Sequence, residues 1–285
     1  MVDVLISANE LHRSLAQGDD RPLVLDVRWV LGDPHGREHY VERRIPGSVY
    51  VDLNTELAGP PSPQEGRHPL PKPEDFQSAA RRWGLREGQS VVVLDDNGGQ
   101  SAARAWWLLR WAGHESVRIL DGGLKAWTEA GYAVEGAQDP IPAPARGDVR
   151  LGADRMPTIG IEEAAGFPGH GVLLDARAGA RYRGEQEPID PRAGHIPGAV
   201  SAPTAENLRE SGTFKDPREL RMRFEALGAV AGKPDAVAVY CGSGVTAAHE
   251  VAALAVAGIH AALYPGSWSQ WSSDPARPAA TGPEA

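Results

Sequence analysis

The sequence contains one cysteine, Cys241, among 285 residues. One thiol cannot form an internal disulfide, a Cys-x-x-Cys redox pair or a multi-cysteine metal site, so any thiol chemistry must run with a second molecule. Long apolar runs are missing too: none approaches the roughly 18 residues of a membrane span, and no membrane role is expected. The opening MVDVLISANELHRSLAQGDDRP has no basic segment followed by an apolar one, so no signal peptide is expected and the cytoplasm is the default compartment. Positive charge is in deficit. Twenty-nine Lys+Arg against 38 Asp+Glu leave a net charge of −9, which argues against nucleic acid as a partner.

What is present is ordinary for a well-cored chain, with 41% hydrophobic and 24% charged residues. The length is about twice the roughly 150-residue prior for one domain, which predicts two. The halves also carry the same landmarks in the same order. Leu25-Asp26-Val27-Arg28 matches Leu174-Asp175-Ala176-Arg177, and Ile45-Pro46-Gly47-Ser48-Val49 matches Ile196-Pro197-Gly198-Ala199-Val200. VVVLDDNGGQSAAR at 91–104 matches VAVYCGSGVTAAH at 237–249, with one extra residue in the first copy. Leu120-Asp121-Gly122-Gly123 and Trp127 match Tyr264-Pro265-Gly266-Ser267 and Trp271. Between the copies, 136–157 is rich in Pro, Gly and Ala without apolar period and reads as a linker; the C-terminal DPARPAATGPEA reads as a loose tail.

Short β-rich runs alternate with helical stretches. Strands are predicted over 22–27, 90–94, 117–120, 172–175, 236–240 and 261–264, and helices over 73–83, 100–112, 217–227 and 245–257. Continuous apolar strands between helices indicate mostly parallel sheets covered on both faces. The fold class is α/β.

In open α/β sheets, sites lie at the carboxyl ends of strands. Cys241-Gly242-Ser243-Gly244 falls between a predicted strand and a predicted helix. The glycines let the loop curl its N–H groups inward, and the helix start adds roughly half a unit of positive charge. Both favour the thiolate, the nucleophilic form. A cysteine phosphatase would need an Arg shortly after its Cys, but residues 241–247 contain no Lys or Arg and Ala247 ends the run. A persulfide needs only a ring of N–H donors.

Cys241-Gly242-Ser243-Gly244-Val245-Thr246-Ala247 resembles the active-site loop of the rhodanese superfamily, in the form typical of 3-mercaptopyruvate sulfurtransferases. Gly194-His195-Ile196-Pro197-Gly198-Ala199 resembles its second signature, and the doubled chain with a cysteine only in the second copy fits as well. The resemblance implies two tandem rhodanese-like domains: 1–135, catalytically silent; a linker at 136–157; and 158–285, carrying Cys241. It implies that Cys241 takes a sulfane sulfur, becomes a persulfide and passes the sulfur on. The partners are then a small-molecule sulfur donor and an acceptor, cyanide or a thiol, the latter small or on a thioredoxin-like protein. No metal or organic cofactor is implied. Gly242, Gly244, Val245 and Thr246 would line the donor cradle, with Thr246 capping the helix or bonding to the cradle. The first copy has Asp95 in the place of Cys241; Asp95 and Asp96 read as structural. So does His195.

Finer features bear on the donor, mercaptopyruvate or thiosulfate, without deciding between them. Thiosulfate, a dianion, would benefit from cations just after the cysteine, where Gly242 and Ser243 are neutral. Mercaptopyruvate needs a carboxylate anchor and a proton for the departing enolate. Arg181 matches the family position that binds the donor's anionic group, and its fork suits a carboxylate. Ser243, with His68 from Arg67-His68-Pro69 and Asp52 from Val51-Asp52-Leu53, matches the family's proton relay, in which a carboxylate fixes an imidazole and the imidazole polarises a hydroxyl. One departure stands out: Glu187-Pro188-Ile189-Asp190-Pro191-Arg192 has Asp190 where these enzymes carry a second Arg, and Arg192 is the candidate replacement. The alternatives are a thiosulfate:cyanide sulfurtransferase working by the same persulfide and a non-catalytic sulfur carrier.

Overall fold

A computed structural model describes residues 3–232 and 236–284. The chain divides into two compact units, one of residues 1–58, 71–155 and 209–214, the other of 59–70, 156–208 and 215–285. The contiguous boundaries expected from the repeat therefore miss two exchanges: 59–70 belongs with the second unit and 209–214 with the first.

The first unit runs β1 (Leu5–Ile6), α1 (Ala8–Leu15), β2 (Leu23–Asp26), α2 (Gly36–Glu42), β3 (Val49–Tyr50), α3 (Leu53–Glu56), α4 (Pro73–Arg82), β4 (Val91–Leu94), α5 (Ala102–Trp111), β5 (Val117–Leu120) and α6 (Gly123–Glu129). Its sheet has the order β1-β5-β4-β2-β3, all parallel. The second unit runs α7 (Ile161–Gly166), β6 (Val172–Asp175), α8 (Gly179–Tyr182), β7 (Val200–Ser201), α9 (Pro217–Ala226), β8 (Val237–Tyr240), α10 (Val245–Val256), β9 (Ala262–Leu263) and α11 (Ser267–Ser273). Its parallel sheet has the order β7-β6-β8-β9. Every residue of β4 and β8 is buried, which is why these strands read as unbroken apolar runs.

The repeated landmarks turn out to be repeated devices. Arg28 grips the carboxylate of Asp26 at 2.6 and 3.1 Å and donates to the Arg43 carbonyl at 2.7 Å. Arg177 does the same with Asp175, Nε at 3.0 Å, and with the Gly194 carbonyl at 2.7 Å. Each pair ties the end of its strand to the approach of an Ile-Pro-Gly turn. In those turns the Ser48 and Ala199 amides donate back to Ile45 and Ile196 at 3.0 Å, with Gly47 at φ +74° and Gly198 at φ +80°. Pro followed by a left-handed Gly is the type II pattern.

Two expectations of looseness need correction. The 136–157 stretch has neither helix nor strand, but its second half is fastened to the first unit. The amides of Gly147, Gly152 and Arg155 donate to Arg81, Ala112 and Trp111 at 2.8, 2.8 and 3.0 Å, and Val149 is buried. A side chain at Gly147 would lie 1.9 Å from the Leu85 carbonyl, so only glycine permits that approach. The C-terminal tail is pinned as well: His195 and Ala280 exchange backbone hydrogen bonds at 2.9 and 3.0 Å. Backbone donors meeting carbonyls hold both segments, a signal that residue composition does not carry.

Candidate active site

Cys241 follows the last residue of β8, between β6 and β9 in the sheet. Its side chain is buried, and the Gly244 amide points at Sγ from 3.1 Å. Gly244 is the N-cap of α10 at φ +79°, a left-handed turn that swings its N–H back toward the sulfur. The loop is held from behind by the start of α11. Trp268 and Ser269 donate their amides to the Cys241 and Gly242 carbonyls at 2.9 Å, while Ser267 Oγ accepts from the Cys241 amide at 3.1 Å. Ser267 sits at φ +53°, a conformation rare for a side-chain-bearing residue, and its hydroxyl donates to the Tyr264 carbonyl at 2.9 Å. The first copy has Gly123 at the same place in the repeat. Exchanging Gly for Ser costs backbone strain and gains a cap on the cysteine's own amide.

The second unit also contains 59–70, which delivers His68. Its Nδ1 lies 2.8 Å from Ser243 Oγ, with both side chains almost wholly buried. Arg181 stands on α8 and is gripped by Glu187, Nη2 to Oε1 at 2.6 Å and Nε to Oε2 at 3.3 Å. Its Nη2 also reaches Asp190 Oδ2 at 3.0 Å, and the other oxygen of Asp190 accepts from Arg67. Burial pushes the Asp190 carboxyl up, against the pull of Arg67 and Arg181. The loop thus gathers a thiol, a hydroxyl–imidazole pair and two guanidinium groups within one unit.

The first unit shows what its equivalent loop does without a cysteine. Asp95 occupies the position of Cys241: the Leu124 amide donates to its carbonyl at 2.9 Å, as Trp268 does to Cys241. Its buried carboxylate accepts from the amides of Asn97, Gly99, Ser101 and Ala102 at 3.1, 2.8, 2.9 and 2.9 Å. The chain fills this anion nest with its own side chain.

Other expected residues fall as follows. Gly242 and Gly244 are buried in the loop, and Val245 is buried at the start of α10. Thr246 does not cap α10: Gly244 holds that position, and no side-chain bond is made there. Asp52 lies in the first unit as the N-cap of α3, its Oδ1 accepting from Asn54 and Thr55 at 2.9 and 3.1 Å. Arg192 is no replacement for a donor arginine. Its guanidinium is spent on the carbonyls of Trp271, Ser272, Asp274 and Arg277 at 2.7–3.1 Å, closing the end of α11. His195 is structural, stacked on Tyr182 at 3.7 Å with Nδ1 2.8 Å from the Tyr182 carbonyl. Sequence reasoning missed Ser267, signalled only by Ser replacing Gly in the repeat, and Arg67, signalled only by standing next to His68.

The family model of the rhodanese-like domain matches residues 7–130 and again 162–274. The chain belongs to the rhodanese-like family of sulfurtransferases. Its similarity to rhodanese-like relatives extends over nearly its whole length. It is 46% identical over 286 residues to a Pseudomonas aeruginosa protein named as a 3-mercaptopyruvate sulfurtransferase, covering 98% of each chain. It is 45% identical over 284 residues to a Mycobacterium tuberculosis protein named as a thiosulfate sulfurtransferase, covering 98% of this chain and 97% of the other. Among solved structures it resembles SseA of Escherichia coli, described as a 3-mercaptopyruvate sulfotransferase. There the TM-score is 0.80 and the identity 32%, over 93% of this chain and 99% of that one.

Proposed function

We propose that this rhodanese-like protein transfers sulfur from 3-mercaptopyruvate to a thiol or cyanide through a persulfide on Cys241. The Cys241 thiolate attacks the donor sulfur, the C–S bond breaks, and pyruvate leaves as its enolate. Arg181 anchors the donor carboxylate through a guanidinium edge. The Gly244 amide, 3.1 Å from Sγ, suits a thiolate and then the sulfur of the persulfide. An acceptor thiol removes that sulfur and regenerates Cys241. With one cysteine in the chain, no internal disulfide can do so.

One observation carries the choice of donor, the 2.8 Å contact between Ser243 Oγ and His68 Nδ1. An enolate must be protonated as it leaves, and a hydroxyl coupled to an imidazole supplies that proton. Sulfite, the leaving group from thiosulfate, needs none. Asp52 enters as the carboxylate expected to orient His68; an Asp52→Asn variant should then lose kcat as a His68 variant does, whereas a loss confined to stability would leave Asp52 as a helix cap only. The first domain is proposed to be non-catalytic, supported by Asp95 filling its own nest. A thioredoxin-like protein is the proposed natural acceptor and the cytoplasm the proposed compartment; among the described residues no helix is long and apolar enough to cross a membrane. The chemistry calls for no metal or organic cofactor.

The test is intact-protein mass spectrometry after incubation with mercaptopyruvate. The protein should gain the mass of one sulfur atom, lose it on adding cyanide, and gain nothing as Cys241→Ser. Sulfur uptake by the serine variant would refute the proposal. A stable persulfide that no acceptor discharges would favour the carrier reading.

A further inference from the structure

We infer that Arg67 is a second anion-binding arginine at the donor site, positioned by Asp190. The inference deepens the sulfurtransferase reading and rests on it for the identity of the donor.

The backbone at Gly242, next to the nucleophile, is approached by two guanidinium groups. A side-chain carbon built on Gly242 would lie 3.0 Å from Arg67 Nη2 and 3.4 Å from Arg181 Nη1. Neither nitrogen has an acceptor among the described residues, while Arg67 Nη1 and the Nε and Nη2 of Arg181 are held. Asp190 divides its carboxylate, one oxygen to Arg67 Nη1 and the other to Arg181 Nη2 at 3.0 Å, and Glu187 takes the rest of Arg181. Arg67 Nε is buried with no partner. Burial separates the charges: the side chains of Arg67 and Arg181 are 26% and 16% exposed, those of Asp190 and Glu187 only 2% and 4%. The carboxylates lie behind and the cations in front.

Arg67 is fixed at its root as well. Its amide donates to Ser269 Oγ at 3.1 Å, in the α11 segment whose amides hold the cysteine loop. Gly66, at φ +89°, comes so close to this segment that a side chain there would meet the Gly266 carbonyl at 2.7 Å. Two guanidinium edges beside Gly242 suit a planar carboxylate whose own sulfur reaches Cys241. Such a pair binds by directed N–H groups, and the balanced charge behind it gives a dianion less than bare cations would. Asp190 stands where a second arginine was expected, and it serves as the acid that brings an arginine in from a different segment.

The test combines Arg67→Ala, Arg67→Lys and Asp190→Asn with two readouts. With cyanide as acceptor, Arg67→Ala should raise KM for 3-mercaptopyruvate about 10- to 100-fold, as loss of charge-assisted hydrogen bonds implies, and leave kcat within about threefold. Arg67→Lys should recover part of the KM; Asp190→Asn should raise it in the same direction. KM for thiosulfate should rise less, and an equal rise would mean that Arg67 serves small oxyanions generally. The second readout needs no turnover: the ratio of Cys241 alkylation rates with iodoacetate and with neutral iodoacetamide should fall about tenfold in Arg67→Ala. Unchanged KM and unchanged ratio would overturn the inference while leaving the sulfurtransferase reading intact. A fallen ratio in a protein that turns over neither donor would uphold Arg67 and refute that reading.

Discussion

The hydroxyl of Ser243 lies 2.8 Å from Nδ1 of His68, a residue 175 positions earlier in the chain. A proton relay built from this pair should matter only where a carbanion-like leaving group must be protonated. His68→Ala is expected to lower kcat with mercaptopyruvate by about 100- to 10,000-fold, the usual range for a lost general acid. With thiosulfate the loss should be within about tenfold, leaving a clear gap between the donors. Steady-state kinetics on both donors check this, and equal losses would reduce His68 to a packing residue.

In the first unit, Asp95 should be a stability residue and nothing more. Asp95→Ala removes the acceptor of four amides, three of them buried, and is expected to cost about 3 kcal/mol, read by denaturant titration. Persulfide formation on Cys241 should be unchanged under native conditions. Activity lost in a still-folded variant would contradict the silent-domain reading.

Arg192→Ala should behave as the removal of a cap. Its guanidinium serves four carbonyls at the end of α11, so a destabilisation of about 2 kcal/mol is expected. KM for either donor should stay near the parent value, which kinetics at low temperature would show. A selective rise in mercaptopyruvate KM would return Arg192 to the donor site.

Burial holds the His114 imidazole below its ordinary value, and its Nε2 is enclosed with no hydrogen-bond partner. A histidine with a depressed folded pKa costs stability as pH falls, because the unfolded chain takes up the proton first. Unfolding free energy should therefore decline as pH drops below the normal histidine range near about 6.5. His114→Gln should flatten that decline relative to the parent. Parallel pH profiles would place the effect elsewhere.

Much of this was legible in the chain. β4 and β8 are buried on both faces and so read as unbroken apolar runs, and the doubled Asp-x-Arg and Ile-Pro-Gly landmarks marked two copies of one unit. Cys241 could be placed because a strand, two nearby glycines and a helix fix what surrounds it. The two-residue strands β1, β3 and β7 are too short for an alternating pattern to register. Arg67 and Asp190 were not legible because nothing local in 62–67 or 187–192 shows that the two segments meet. The function of Arg192 was misread for a related reason: its partners are backbone carbonyls, which every residue possesses and no residue name signals.

The central claim is most directly tested by measuring kcat/KM for 3-mercaptopyruvate and for thiosulfate side by side, with cyanide as the common acceptor. The Ser243–His68 pair and the neutral loop predict a clear preference for mercaptopyruvate, abolished for both donors in Cys241→Ser. A preference for thiosulfate would contradict the account, since that donor makes no use of the proton that the proposed relay would deliver.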